Sequence, residues 1–219
     1  MKKILFLIIV LSIAAIQFGC EDKSTEPYND IDDNDTSSVI VRKPNLYIYP
    51  TEEISLFVKV DFPNGGSILE SIPKYDDGWE ISVKPNGIIN DIYEYLFYEC
   101  KVPDLSQNNY GWIIAQDELK QFFVNNLSSS GFNEKEIKDF TDYWIPILIN
   151  YRYYEIYPQY KRTLEKMSII NFSIEPKNIF RLQYVLKGRN DKNKTLLTPR
   201  VEKAKREEYF SVEWGVIIK

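Results

Sequence analysis

Lys43 to Phe62 reads KPNLYIYPTEEISLFVKVDF, and its second half decides the fold. Ile54, Leu56, Val58, Val60 and Phe62 alternate with Ser55, Phe57, Lys59 and Asp61. A period of two is that of a strand with one buried face. Upstream, Leu46-Tyr47-Ile48-Tyr49 is another strand pattern, stopped by Pro50. Downstream, Asn64-Gly65-Gly66 supplies residues that accept positive φ, and Ser67–Ile72 reads as a partner strand. Trp79, Ile81 and Val83 alternate with Glu80, Ser82 and Lys84 before the turn Pro85-Asn86-Gly87, and Tyr93–Cys100 is a further strand candidate. Residues 43–102 therefore read as antiparallel, sandwich-like β structure.

The remainder, 103–219, reads differently. Leu119, Phe122, Phe123 and Leu127 recur at helical spacing, behind Asp117 and Glu118 where the helix dipole favours acids. Asn133 followed by Glu136 is a capping-box pattern for a second helix with Ile137, Phe140, Thr141 and Trp144 on one face. Pro146 ends or kinks that helix. Ile147–Tyr157, Ser168–Ile174, Ile179–Leu186 and Phe210–Ile218 are predicted strands, with a polar loop over Gly188–Lys194. The expected class is α+β: a β-rich, antiparallel, sandwich-like N-terminal half, then two helices and further strands packed with it.

Ahead of this lies an address. Met1–Cys20 reads MKKILFLIIVLSIAAIQFGC, with Lys2 and Lys3, an apolar run from Leu5 to Ile16, and Gly19 before Cys20. This is a secretory signal pattern over 1–19, too short for a comfortable transmembrane span. A small residue directly before Cys resembles the lipobox of bacterial lipoproteins. That resemblance implies cleavage before Cys20 and its lipidation, hence a membrane anchor facing the periplasm or the cell exterior. Residues 20–42 carry seven acids between Glu21 and Asp35 and almost no apolar content before Val39, the composition of a charge-extended, disordered tether. Asp30, Asp32 and Asn34 match the start of a calcium loop. Asp35 and Val41 stand where such a loop needs Gly and Glu.

Composition excludes several chemistries. The 219 residues contain no histidine, so Ser-His-Asp and Cys-His catalysis and imidazole-held zinc are out. A net charge of −5 argues against nucleic acid. With Cys20 lipidated, Cys100 has no disulfide partner in the chain and reads as a buried thiol. Motifs for nucleotides, redox dithiols and zinc are absent from the sequence, and neither a cofactor nor a metal is expected.

Several blocks occur in a fixed order: Lys43-Pro44-Asn45-Leu46-Tyr47-Ile48-Tyr49-Pro50; Gly78-Trp79 with Pro85-Asn86-Gly87; Tyr95-Leu96-Phe97-Tyr98-Glu99; Asp139-Phe140 with Tyr143-Trp144 and Pro146; and Phe210-Ser-Val-Glu-Trp-Gly215. Together they resemble a family of secreted or lipid-anchored bacterial proteins of uncharacterised function that carry a KPVIYLYP-like motif and a terminal EWGG-like strand. The resemblance implies architecture and location, not a reaction. Asn86, Tyr98, Leu148 and Val216 depart from the pattern.

Two sets of residues are candidates for function. Tyr47, Tyr49, Trp79, Tyr95 and Trp112, with other tyrosines, can form a flat face on which sugars stack. That favours a non-enzymatic binding or interaction module for glycan, peptidoglycan or an envelope protein. Glu99 and Glu213 sit in aromatic strand patterns, where an ionised carboxyl needs a partner. Facing one cleft, they would be the acid–base pair of a glycan hydrolase; otherwise Arg181 or Arg206 is the expected partner. A third reading, a structural envelope component, expects an apolar surface patch instead. Ser71-Ile-Pro-Lys74 fits a serine–lysine pattern, but Pro73 and the following Tyr75-Asp76-Asp77-Gly78 place it in a loop.

Overall fold

The computed structural model describes residues 37–219. The signal segment 1–19, Cys20 and most of the expected tether lie outside the described residues. Ten strands and three helices follow in the order β1 (Ser38–Tyr49), β2 (Ile54–Asp61), β3 (Ser67–Ile72), β4 (Trp79–Val83), β5 (Leu96–Pro103), β6 (Trp112–Ala115), α1 (Leu119–Ser129), α2 (Glu134–Trp144), β7 (Tyr153–Tyr160), the short α3 (Lys161–Leu164), β8 (Ile169–Phe172), β9 (Asn178–Arg189) and β10 (Phe210–Ile218). The fold is α+β, with a sandwich-like N-terminal region followed by helices and further strands.

A seven-stranded sheet runs β3-β5-β1-β10-β9-β7-β6, and a three-stranded sheet runs β4-β2-β8. Strands of 43–102 and of 103–219 are interleaved in both sheets: β1 lies between β5 and β10, and β8 pairs with β2. All pairings are antiparallel except β9 with β10. One face of the large sheet packs on the small sheet through Leu46, Ile48, Leu56, Val58, Trp79, Tyr98 and Val185. The other face packs on α1 and α2 through Tyr47, Phe123, Phe140, Trp144, Tyr184 and Trp214.

These layers explain the hydrophobic patterns. β2 belongs to the outer sheet, has one face in water, and alternates buried with exposed residues throughout. β10 is covered on both faces and is buried from Ser211 to Ile217. The capping box forms: the Asn133 side chain accepts from the Glu136 amide, and the Glu136 carboxylate accepts from the Asn133 amide.

Several boundaries differ from expectation by a few residues, and three differences matter most. β1 begins at Ser38, inside the stretch expected to be tether, because Val39 and Val41 bury against the sandwich core beside Val102 and Cys100. Strand β7 starts only at Tyr153; after α2, Ile149 and Tyr151 point to solvent instead. β6 is the strand that periodicity missed, four half-buried residues at the sheet edge.

The candidate site at the β1 bulge

Pro44 stands inside a central strand, where its missing amide cannot serve a ladder. The chain accommodates it with a bulge. Both ladders of β1 lose register at this point, between Arg42 and Asn45 against β10 and between Val41 and Asn45 against β5. Lys43 takes the left-handed conformation at φ 50. This is backbone strain of the kind that collects at functional sites. Gly215 on β10 makes room: a Cβ there would sit 3.3 Å from Pro44 Cα and 3.2 Å from Gln183 Cγ.

Past the bulge, Asn45 and Tyr47 face the helix layer. There four of the five sequence blocks meet. The Tyr47 hydroxyl donates to Asp139 Oδ2 at 2.9 Å, and Lys135 Nζ reaches the same oxygen at 2.8 Å and Glu94 Oε2 at 2.9 Å. Lys43 Nζ lies 4.5 Å from the Phe97 ring, 4.9 Å from Tyr143 and 6.0 Å from Tyr95. Lys135 Nζ lies 5.7 Å from both the Tyr47 and Tyr95 rings. The Lys43 amide donates to Glu99 Oε1 at 3.2 Å, and Arg42 pairs with Glu99 Oε2 at 3.7 Å. Trp214 is the cross-strand neighbour of Asn45.

Two members of this group lack side-chain hydrogen-bond partners: Trp214 through its indole Nε1, and Asn45 through both of its side-chain polar atoms. Asn45 is 1% exposed, and neither its side-chain nitrogen nor its oxygen has a protein partner at hydrogen-bonding geometry. Its amide sits within polar reach of the Tyr47 and Tyr95 hydroxyls without meeting hydrogen-bond geometry, and it counters part of the upward push that burial and Asp139 exert on both phenols. Both phenols thus stay protonated at ordinary pH.

Glu99 and Glu213 do not share a cleft. On β5, Tyr98 and Cys100 face the sandwich core, so Glu99 points the other way, toward the bulge. On β10, Val212, Trp214 and Val216 face the helices, so Glu213 points into the sandwich. There it is sealed: Arg181 Nε donates to Oε2 at 2.7 Å, the Tyr98 hydroxyl donates to Oε1, and both ionic side chains are at most 1% exposed. The hydrolase arrangement is therefore corrected: the large sheet separates the two carboxylates. Arg181 is the partner of Glu213; Arg206 binds Glu136 instead, at 2.9 and 3.0 Å.

The flat aromatic face is corrected too. Tyr47 and Trp79 are buried, in cores on opposite sides of the large sheet. Tyr49 stacks on Phe210 at 5.0 Å, and half-buried Trp112 meets Phe122 edge-on at 5.2 Å. Of the five aromatics, only Tyr47 and Tyr95 come together, with ring centroids 5.3 Å apart. Lys43, Asn45, Phe97, Lys135, Asp139 and Tyr143 were missed as site residues, although a proline inside a strand pattern signals a bulge.

The other candidate groups are engaged, although Ser130 Oγ, Trp144 Nε1, Gln183 Oε1, Arg189 Nε, Tyr209 Oη and Trp214 Nε1 are also buried without a hydrogen-bond partner. The Ser71 hydroxyl accepts the Tyr75 amide, and Lys74 pairs with Asp76 at 2.5 Å, so no serine–lysine couple exists. Buried Glu155 is held by Lys194 at 2.8 Å, by Arg189 and by the Tyr157 hydroxyl. Burial pushes its carboxyl up, but these partners prevail and hold it down to about 2. Cys100 is buried, and burial raises its thiol far from reactivity. Among the described residues no acidic or Cys/His cluster suits a metal, and no helix is long and apolar enough to cross a membrane.

Burial raises the Glu99 carboxyl, with Arg42 and the Lys43 amide pulling it part way back. A carboxyl raised on folding favours the folded state when protonated. Its contribution is present below the unfolded value of about 4.3 and is lost as pH rises through the folded value. Glu99→Gln is thus expected to raise the melting temperature at pH 7 and to leave it unchanged near pH 4. A lower melting temperature at pH 7 would show that the ionised carboxylate is a net stabiliser.

Compared with protein-family models, with curated proteins and with solved structures, the chain matches none.

Proposed function

We propose that the chain is a lipid-anchored protein of the bacterial cell envelope that works as a non-enzymatic binding module, with envelope glycan as its ligand. The observation that carries the ligand reading is the β1 bulge. The half-buried rings of Tyr95 and Tyr143 stand there around Lys43, over buried Phe97 and a buried carboxamide without a hydrogen-bond partner, and the carboxylates are all tied to cations. Flat rings with a few fixed polar groups suit sugar recognition. Tied carboxylates lack the free acid–base couple that hydrolysis needs. The signal pattern, the lipobox-like Gly19-Cys20 and the family resemblance support the anchor and the location.

The two halves are tested separately. In cells fed a traceable fatty acid, the full chain should take up label and Cys20→Ser should not; equal labelling of both, or of neither, overturns the anchor. The full chain in a non-glycosidic detergent should melt higher with soluble peptidoglycan fragments. A ligand at 100 times its Kd adds about 2.7 kcal/mol. Absence of a shift with every glycan tried overturns the ligand reading.

A further inference from the structure

We infer that the sugar taken at the β1 bulge is an uncharged N-acetylhexosamine, recognised through its acetamido group by the Asn45 carboxamide. The inference rests on the glycan-binding reading and sharpens it. Charge gives the first argument. Arg42, Lys43 and Lys135 stand against Glu94, Glu99 and Asp139, three of each sign, so the site has no net charge with which to draw an ion. A ligand matched to it is neutral.

Hydrogen-bonding capacity gives the second. Asn45 leaves both a donor nitrogen and an acceptor oxygen without a protein partner, in a strand centre with 1% exposure. Buried polar groups are rarely left so, and of the eight such atoms among the described residues two belong to Asn45, the one residue that contributes more than one. A secondary amide offers the complementary pair, a carbonyl for the nitrogen and an N–H for the oxygen. A sugar hydroxyl supplies one such bond at a time. An N-acetylhexosamine carries that amide beside an apolar ring face, which the Tyr95 and Tyr143 rings can meet.

Access is by side-chain movement. Tyr95 lies against Asn45 and, like Lys43 beside it, is half-buried rather than sealed in. Rotation of these two side chains would open a path from solvent to Asn45.

The probes are two β-1,4-linked tetrasaccharides that differ at the 2-position: chitotetraose, with acetamido groups, and cellotetraose, with hydroxyls. Titration calorimetry on the full chain should show chitotetraose binding at least about tenfold more tightly, because a site built for a polar group rejects an analogue that leaves it unpaired. Asn45→Leu should erase that preference without lowering the melting temperature, since removing an unpartnered polar group at constant shape is neutral or stabilising. Equal binding of the two sugars overturns the acetamido assignment and leaves glycan binding standing. Binding of neither overturns both. An Asn45→Leu variant that melts lower, or does not fold, shows that Asn45 is satisfied in the free protein and overturns the inference, as does a variant that keeps the preference.

Discussion

Arg181→Met is expected to cost about 3–5 kcal/mol of folding stability, measured as a lowered midpoint in chemical denaturation. The reason is the side chain it strands. Glu213 is fully buried between the sheets, and Arg181 reaches it while also donating to the Ser168 carbonyl at 2.6 Å and the Ser168 hydroxyl at 3.0 Å. Without the guanidinium, a carboxylate and a serine carbonyl are left in the sandwich core. The same geometry predicts a rescue. Arg181→Met combined with Glu213→Leu and Tyr98→Phe removes the stranded carboxylate and its phenol partner, while the Ser168 carbonyl and the Gln183 amide stay unpaired, and is expected to return part of the lost stability. Buried ion pairs are often replaceable by apolar groups of similar volume. A single variant within about 1 kcal/mol of the parent would show that water reaches the pair, contrary to its burial.

Phe140→Ala should act as strongly in the other core. Phe140 is fully buried on α2, with its ring 4.8 Å from Phe123, 5.2 Å from Trp214 and 5.8 Å from Tyr184. Deleting it leaves a cavity among rigid rings that cannot collapse inward, and the expected loss is about 3–5 kcal/mol. Domains hold only about 5–15 kcal/mol in total, so this change alone can take the protein to the edge of unfolding. A loss below about 1 kcal/mol would mean that the helix layer repacks freely over the sheet. Chitotetraose binding would then be the sensitive readout, since Asp139 and Tyr143 ride on the same helix.

How much of this was legible depended on which surfaces a strand buries. β2 and the capping box of α2 were readable because each has one wet side, so residue type reports orientation. β10 was located from Phe210 to Ile218, but its continuous burial hid which way Glu213 points. That direction needs the register against β9, which composition does not carry. β7 was placed early because Ile147, Ile149 and Tyr151 have strand-like chemistry, although each is more than a third exposed. The site was hidden for a related reason. The bulge at Lys43-Pro44-Asn45 shifts the parity of β1, so which side of the strand meets the helices cannot be counted from one end to the other.

The pairing of β1 with β10 also sets an order of events in time. The Ser211 hydroxyl donates to the Tyr47 carbonyl across 164 positions of sequence, and the large sheet has no continuous middle until that contact exists. A ribosome delivers β1 long before β10. Until Phe210–Ile218 arrives, one edge of β1 is open, and the Arg181–Glu213 pair is incomplete because the glutamate has yet to be made. Such a chain is dominated by distant pairings and closes late and slowly. It remains an unlatched polymer through most of its synthesis, which is the form that can still be threaded through a narrow pore.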